Sequence, residues 1–232
     1  MINEIQYTVS MPLFIVSTPI GNLKDITHRA VETLGSVDYI LCEDTRVTGK
    51  LLSAYDIHKK MVVFNDFNEE RVINSVMGDL EKGLCIALVS DAGTPLISDP
   101  GFKLVREAAS KNITIAAIPG ASAVISALTV SGKPTDKFMF VGYLSKKDGK
   151  RRNQLADIKK VGEIIKTTFI IYESPFRVLK TLEAINEIFG DIDIVVCREL
   201  TKLHEEVLRQ KVTVVIQHFA EHPPKGEFVI VL

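Results

Sequence analysis

An apolar run, Leu84-Cys85-Ile86-Ala87-Leu88-Val89, gives way to Ser90-Asp91-Ala92-Gly93-Thr94-Pro95-Leu96-Ile97-Ser98-Asp99-Pro100-Gly101. The second stretch carries two glycines, two prolines and three small hydroxyl residues. Such a composition presents backbone N–H and C=O groups rather than bulky side chains, because glycine lets the main chain approach a ligand closely. The chemistry it suits is capture of a small molecule by main-chain hydrogen bonds. If the run is a strand of an open α/β sheet, the loop lies beyond its carboxyl end, where such sheets bind ligands.

Three further loops follow apolar runs in the same way. They are Thr18-Pro19-Ile20-Gly21-Asn22, Glu43-Asp44-Thr45-Arg46 and Pro119-Gly120-Ala121-Ser122-Ala123. In a parallel sheet all four share one edge, which is hard to explain as chain turning alone. The familiar nucleotide and hydrolase signatures are missing. No Gly-x-Gly-x-x-Gly follows the first apolar run, and there is no Walker A sequence, His-Glu-x-x-His, paired Cys-x-x-Cys or Gly-x-Ser-x-Gly. An ordinary dinucleotide fold and a P-loop enzyme are therefore not expected.

The elements that must position these loops alternate. Strands are predicted over residues 13–17, 39–42, 61–64, 84–89 and 114–118, with helices over 26–34, 69–82 and 102–110 and another beyond residue 123. Gly83 is a fitting C-cap. Strands alternating with helices imply a mainly parallel sheet with right-handed crossovers. Around residues 131–137 the rhythm changes. A strand over 138–143, a basic polar loop, a helix over 153–165, a strand over 168–172 and a helix over 176–189 follow. Segments 192–196, 212–218 and 228–232 complete this half. The reading is two α/β domains: an N-terminal parallel-sheet domain over residues 12–118 and a C-terminal domain with a mixed sheet over 119–232. They are hinged near residues 119–137, and ligand clefts often lie at such interfaces.

A chain of 232 residues with a formal net charge of −1 has no general affinity for nucleic acid or membrane, so any such contact needs a local patch. The first ten residues contain Glu4 and lack an apolar core, so a signal peptide is not expected. Met11-Pro12 marks the leading residues as an extension or an alternative start. No apolar stretch reaches the ~18 residues of a membrane span. Cys42, Cys85 and Cys197 have neither metal-ligand nor redox-pair spacing and read as core thiols. Their odd number favours the cytoplasm. His28, His58, His204, His218 and His222 form no spaced ligand set, so no metal is expected.

The loops resemble the tetrapyrrole-methylase-like class (class III) of S-adenosylmethionine-dependent methyltransferases. Within it they are more similar to the bacterial branch that 2′-O-methylates a cytidine of small-subunit (16S) ribosomal RNA. The runs that carry the resemblance are Ser17-Thr18-Pro19-Ile20-Gly21-Asn22-Leu23, Glu43-Asp44-Thr45-Arg46, Ser90 through Gly101 as spelled out above, and Ile118-Pro119-Gly120-Ala121-Ser122-Ala123. Tyr172-Glu173-Ser174-Pro175-Phe176-Arg177 and Cys197-Arg198-Glu199-Leu200-Thr201-Lys202 extend it through the second half, so that it covers residues 12–232. Many members continue past the last strand with a small helical extension, whereas this chain stops at Gly226-Glu227-Phe228-Val229-Ile230-Val231-Leu232. If that extension grips RNA, weak substrate binding by this chain alone is expected.

The resemblance implies an α/β fold with two domains flanking a cofactor cleft, and methyl transfer from S-adenosylmethionine to a ribose 2′-hydroxyl. It implies cofactor contacts from Pro19, Gly21, Ser90, Asp91, Ala92, Gly93, Ile97, Ser98, Pro119, Gly120, Ser122 and Ala123. In the second half it implies Gly142, Tyr143, Tyr172, Glu173 and, more weakly, Gly226. A 2′-hydroxyl needs its proton removed, and a base within ~3 Å would help. Glu43, Asp44 and Glu173 are the candidates, with Asp99 beside them; each also reads as a helix cap or a partner for Arg46, Arg177 or Arg198. Arg46 and the run holding Lys146, Lys147, Lys150, Arg151 and Arg152 would meet RNA phosphates. Phe64-Asn65-Asp66-Phe67-Asn68 reads either as the RNA-side edge of the cleft or as a capped helix start. A homodimer in the cytoplasm is the family expectation. A tetrapyrrole or other small-molecule methylase, and a non-catalytic RNA-binding or assembly protein, stay open beside the RNA methylase.

Overall fold

Strand β1 (Leu13–Val16) runs parallel between β4 (Ile86–Leu88) and β5 (Ile115–Ile118), with Leu13 opposite both Ile86 and Ile115. On the other side of β4 lies β2 (Tyr39–Cys42), itself parallel to β3 (Lys60–Val63). The sheet order is β3-β2-β4-β1-β5. This is a computed structural model, and it describes residues 13–232; the expectations for the first ten residues and for Met11-Pro12 lie outside them. Strands covered on both faces read as continuous apolar runs, without alternation. Accordingly Leu13, Leu41 and Ile86 pack on one side with Phe64, Ile73 and Met77, while Val16, Ile40 and Ala87 pack on the other with Leu34, Val37 and Leu52.

The crossovers are α1 (His28–Ser36), α2 (Thr45–Ala54), α3 (Glu69–Glu81) and α4 (Phe102–Ser110). The Thr27 hydroxyl caps α1 by accepting from Ala30 N at 3.1 Å. Gly83, at φ +89°, follows α3 in the left-handed region expected of a helix end. With every strand parallel, the loops after β1, β2, β3, β4 and β5 all leave from one edge of the sheet.

The chain divides into two compact units between Ala121 and Ser122. The second unit holds α5 (Ala123–Ser131), β6 (Phe138–Tyr143), α6 (Asp148–Ile164), β7 (Thr168–Glu173), α7 (Val178–Phe189), β8 (Asp193–Arg198), β9 (Glu206–Lys211), α8 (Val212–Glu221) and β10 (Phe228–Val231). Its sheet, β6-β7-β10-β8-β9, is mixed: β6 and β7 are parallel, and the remaining pairs are antiparallel. Leu155, Phe169, Leu182, Val196, Phe219 and Ile230 form its core. One prediction is corrected here. The basic run is not a loop: Asp148 opens α6 and draws Lys150, Arg151 and Arg152 into its first turns. Among the described residues no helix is long and apolar enough to cross a membrane, and no group of three or more His, Cys, Asp or Glu could hold a metal.

Candidate active site

The strand-end loops of the first unit are tied to one another. Thr18 and Gly93 form an antiparallel bridge, with Thr18 N donating to Gly93 O at 2.8 Å and Gly93 N to Thr18 O at 3.1 Å. Gly93 takes φ +84° to do so, and a Cβ there would stand 3.2 Å from the Ile20 side chain. The Thr94 hydroxyl lies 3.0 Å from that of Ser17 and also donates to Ala121 O at 3.2 Å. Loops after β1, β4 and β5 are thereby fastened together. Gly120 closes the same corner: a Cβ on it would lie 2.9 Å from Ser17 Cβ, so only backbone can occupy this exposed position. Leu96 and Ser98 hold φ of +72° and +69°, values non-glycine residues adopt rarely and mostly at functional loops.

The loops after β2 and β4 share carboxylates. Asp91 N donates to Glu43 Oε1 at 3.2 Å, and Asp44 N donates to Asp91 Oδ1 at 3.2 Å. Burial pushes the Glu43 carboxyl up to about 7, with the charges of Asp99, Asp91 and Asp66 adding to the effect. Burial likewise lifts Asp99 to about 6, opposed by a hydrogen bond with Ser90. Glu43 thus titrates at neutral pH on a solvent-reachable edge, which is what a general base requires.

Two other candidate bases, Asp44 and Glu173, are differently employed. Asp44 caps α2, accepting from Arg46 N at 2.8 Å and from Arg46 Nε at 3.0 Å, and these bonds hold its carboxyl at about 2. Arg46 is correspondingly tied to Asp44, although its side chain remains 86% exposed. Glu173 is 1% exposed and fully occupied: it accepts from Arg177 Nη2 at 2.6 Å, Thr181 Oγ1 at 2.7 Å and Ser174 N at 2.8 Å. It locks the start of α7 rather than reaching a ligand.

In the second unit Gly142 and Tyr143 lie in register with Ile171 and Tyr172 after a bulge beyond Phe140, with Gly142 at φ +74°. The rings of Tyr143 and Tyr172 meet edge to face at 5.6 Å. Glu173, the next residue along β7, points to the opposite face, as alternation dictates. Gly226 has a structural reason to be glycine. At φ +89° a Cβ would stand 2.4 Å from the Glu199 carboxyl, which accepts from Glu227 N at 3.0 Å.

Residues 12–215 match the family of Tetrapyrrole (Corrin/Porphyrin) Methylases. The chain belongs to this family. It is 47% identical over 220 residues to ribosomal RNA small subunit methyltransferase I of Thermotoga maritima, covering 95% of this chain and 97% of that protein. It is 44% identical to the protein of the same name from Halalkalibacterium halodurans, covering 95% and 75%. Among solved structures, a diphthine synthase superposes with a TM-score of 0.75 at 15% identity, covering 96% of this chain and 89% of that one. A cobalt precorrin-4 methyltransferase of cobalamin biosynthesis superposes with a TM-score of 0.67 at 16% identity, covering 95% and 94%. These two establish the methylase fold.

Within this methylase chain the basic residues divide. Lys146, Lys147 and Lys150 are exposed, whereas Arg151 is 3% exposed and paired with Asp148, and Arg152 bridges Asp148 and Glu187. Arg151 is therefore withdrawn from any phosphate. Sequence reading did not single out Ser17 and Thr94, whose hydroxyl contact fastens the loops. Their only signal was a place beside the glycine-proline runs.

Proposed function

We propose that this chain transfers a methyl group from S-adenosylmethionine to the ribose 2′-hydroxyl of a cytidine in the 16S RNA of the small ribosomal subunit. The observation that carries the reading is Glu43: a half-buried carboxylate at a parallel-sheet edge, poised near neutrality and hydrogen-bonded to the loop that follows β4. The names carried by the relatives favour an RNA acceptor over a tetrapyrrole.

When bound, S-adenosylmethionine supplies a methyl group on a sulfonium. The residues present fit such a group. Gly93 and Gly120 let the loops after β1, β4 and β5 pack backbone to backbone against Ile20 and Ser17, and Leu96 and Ser98 hold the left-handed conformation common at ligand loops. Within the first unit Ser90, Asp91, Ala92, Gly93, Ile97, Ser98, Pro119 and Gly120 would hold it. Glu43 takes the 2′-hydroxyl proton at its carboxylate. Asp91 N–H holds Glu43 in place, and the fastened loops fix the reactants in orientation, which supplies much of the acceleration in a displacement of this kind. A homodimer and a cytoplasmic setting belong to the same reading.

The test is transfer of labelled methyl from S-adenosylmethionine to purified small subunits that lack their native methylation, with the product mapped by nuclease digestion. Label on the 2′-oxygen of one cytidine is expected. Cofactor binding without label on RNA would transfer the activity to another acceptor, and absence of cofactor binding would end the enzymatic reading.

A further inference from the structure

Phe67 stands between β3 and α3 with its side chain 100% exposed, three residues after Phe64, which is fully buried. The loop that carries it is built rather than slack. Asn65 Oδ1 accepts from Phe67 N at 3.1 Å, Asn68 Oδ1 accepts from Asn65 N at 2.8 Å, and Asn68 Nδ2 donates to Val63 O at 2.9 Å. Asn68 occupies the N-cap position of α3 yet makes no capping bond with its side chain. Its amide holds the loop instead, while Asn65 plays the capping part: its carbonyl accepts from Asn68 N at 3.0 Å and Glu69 N at 2.9 Å as its side chain accepts from Phe67 N. The helix-cap reading therefore accounts for the asparagines but not for the exposed ring. The outcome is a large apolar ring displayed to solvent on a fixed support.

The place is informative. β3 pairs with β2, and Phe64 N donates to Cys42 O at 2.8 Å, immediately before Glu43. Asp66, next to Phe67, lies close enough for its charge to raise both Glu43 and Asp99. The ring is therefore presented at the edge that carries the base. Its sequence neighbours Asp66, Glu70 and Arg71 are exposed and charged, so the ring is set among polar residues of its own segment. A protein partner or a lipid surface needs contiguous apolar area. A lone ring suits a flat π-face, and sequence-tolerant stacking of unpaired bases on aromatic side chains is a general mode of RNA binding. Glu70 is paired with Lys103 at 2.8 Å, so the segment offers no run of free cations for the RNA backbone, and the ring itself is the feature left for a base.

We propose that Phe67 is a stacking platform for an unpaired nucleobase of the RNA substrate, supported by Asn65 and Asn68. The inference rests on the RNA methyltransferase reading above. Because the chain contains no tryptophan, Phe67→Trp places a single, selectively excitable tryptophan at the platform. The test titrates this variant with a single-stranded, cytidine-containing RNA oligonucleotide. Ile164→Trp, at a position 81% exposed in the second unit, serves as control. Saturable quenching of the first and not the second is expected. In parallel, Phe67→Ala should raise KM for small ribosomal subunits about tenfold while kcat and cofactor affinity stay within about twofold, and Phe67→Tyr should restore KM. Unquenched Phe67→Trp, or an unchanged KM in Phe67→Ala, overturns the platform. If the wild-type chain methylates no RNA, the functional reading falls, and the quenching titration still decides the platform.

Discussion

The Asp91 backbone N–H donates to Glu43 Oε1 across 3.2 Å, joining the ends of two neighbouring parallel strands. The bond fixes a carboxylate that burial and three nearby acids hold at about 7. Glu43→Gln keeps an acceptor for Asp91 N but removes the base. Methyl transfer should fall on the order of a hundredfold. The wild-type rate should rise with pH through about 7 and level off, and the variant should lack that limb. Cofactor affinity, measured by calorimetry, should stay within a few-fold. A variant of wild-type activity would remove Glu43 from the reaction.

The same group must leave a mark on stability. Its carboxyl rises from an ordinary 4.5 in the unfolded chain to about 7 in the fold. Between those values the folded chain binds more protons than the unfolded one, so stability falls as pH rises through this window and is flat above it. Asp99, lifted to about 6, acts with the same sign over a lower window. Glu43→Gln should therefore be more stable than wild type at pH 8, by about 1–2 kcal/mol once solvent screening is allowed for, and little changed at pH 4. Urea titrations at the two pH values measure this; equal midpoints at pH 8 would contradict it.

Asp44 offers the contrast. Its carboxyl, held at about 2 by Arg46, is ionised throughout the working range and serves the start of α2. Asp44→Ala should lower stability through the lost cap. Asp44→Asn should recover most of it. Neither should move the pH limb assigned to Glu43, and a shift of that limb would show that Asp44 takes part in the proton transfer.

Much of this architecture was legible from the apolar runs. Strands such as β2 and β4, buried along their whole length, have no alternation to obscure them, and the shorter apolar run of edge strand β3 was legible beside them. All five parallel strands of the first unit were therefore found, and with them the edge that gathers the loops. The second unit was less readable. Strand β9, Glu-Val-Leu-Arg-Gln-Lys, lies at the sheet edge with an exposed end and carries a weak apolar signal. The start of α6 was hidden because Lys147 occupies its N-cap position without a side-chain capping bond. Site roles were legible only as sets. Which of Glu43, Asp44 and Glu173 is free to accept a proton depends on Arg46, Arg177 and Thr181. Arg46 and Arg177 stand near their carboxylates in sequence, but neither their contacts nor the burial of Glu43 can be read from spacing.

Two glycines of the second unit separate backbone strain from collision. Gly132 has φ +74° with open space around its missing Cβ, so Gly132→Ala should cost only the conformational penalty of about 1 kcal/mol. Gly226 has φ +89° and the Glu199 carboxyl 2.4 Å from its missing Cβ. Gly226→Ala must displace Glu199 and its bonds to Glu227 N and Lys202, and should cost about 2–4 kcal/mol. Denaturant midpoints compare the two directly. Equal losses would mean that Glu199 moves aside freely, and would reopen a ligand role for Gly226.

RNA binding should sort the basic run by burial rather than by sequence. Each lysine that neutralises a phosphate adds about 0.7 to the slope of log affinity against log salt on single strands. Replacing exposed Lys146, Lys147 and Lys150 together by alanine should lower that slope by about 2 without lowering the melting temperature. Arg151→Ala should do the reverse. Its guanidinium is buried and paired with Asp148 at the first turn of α6, so the loss falls on folding, about 1–3 kcal/mol, and the salt slope stays unchanged. Binding titrations from low to moderate salt, run beside thermal melts, place each residue in one group or the other. A slope that falls with Arg151→Ala would mean the helix start opens to present that arginine to the RNA.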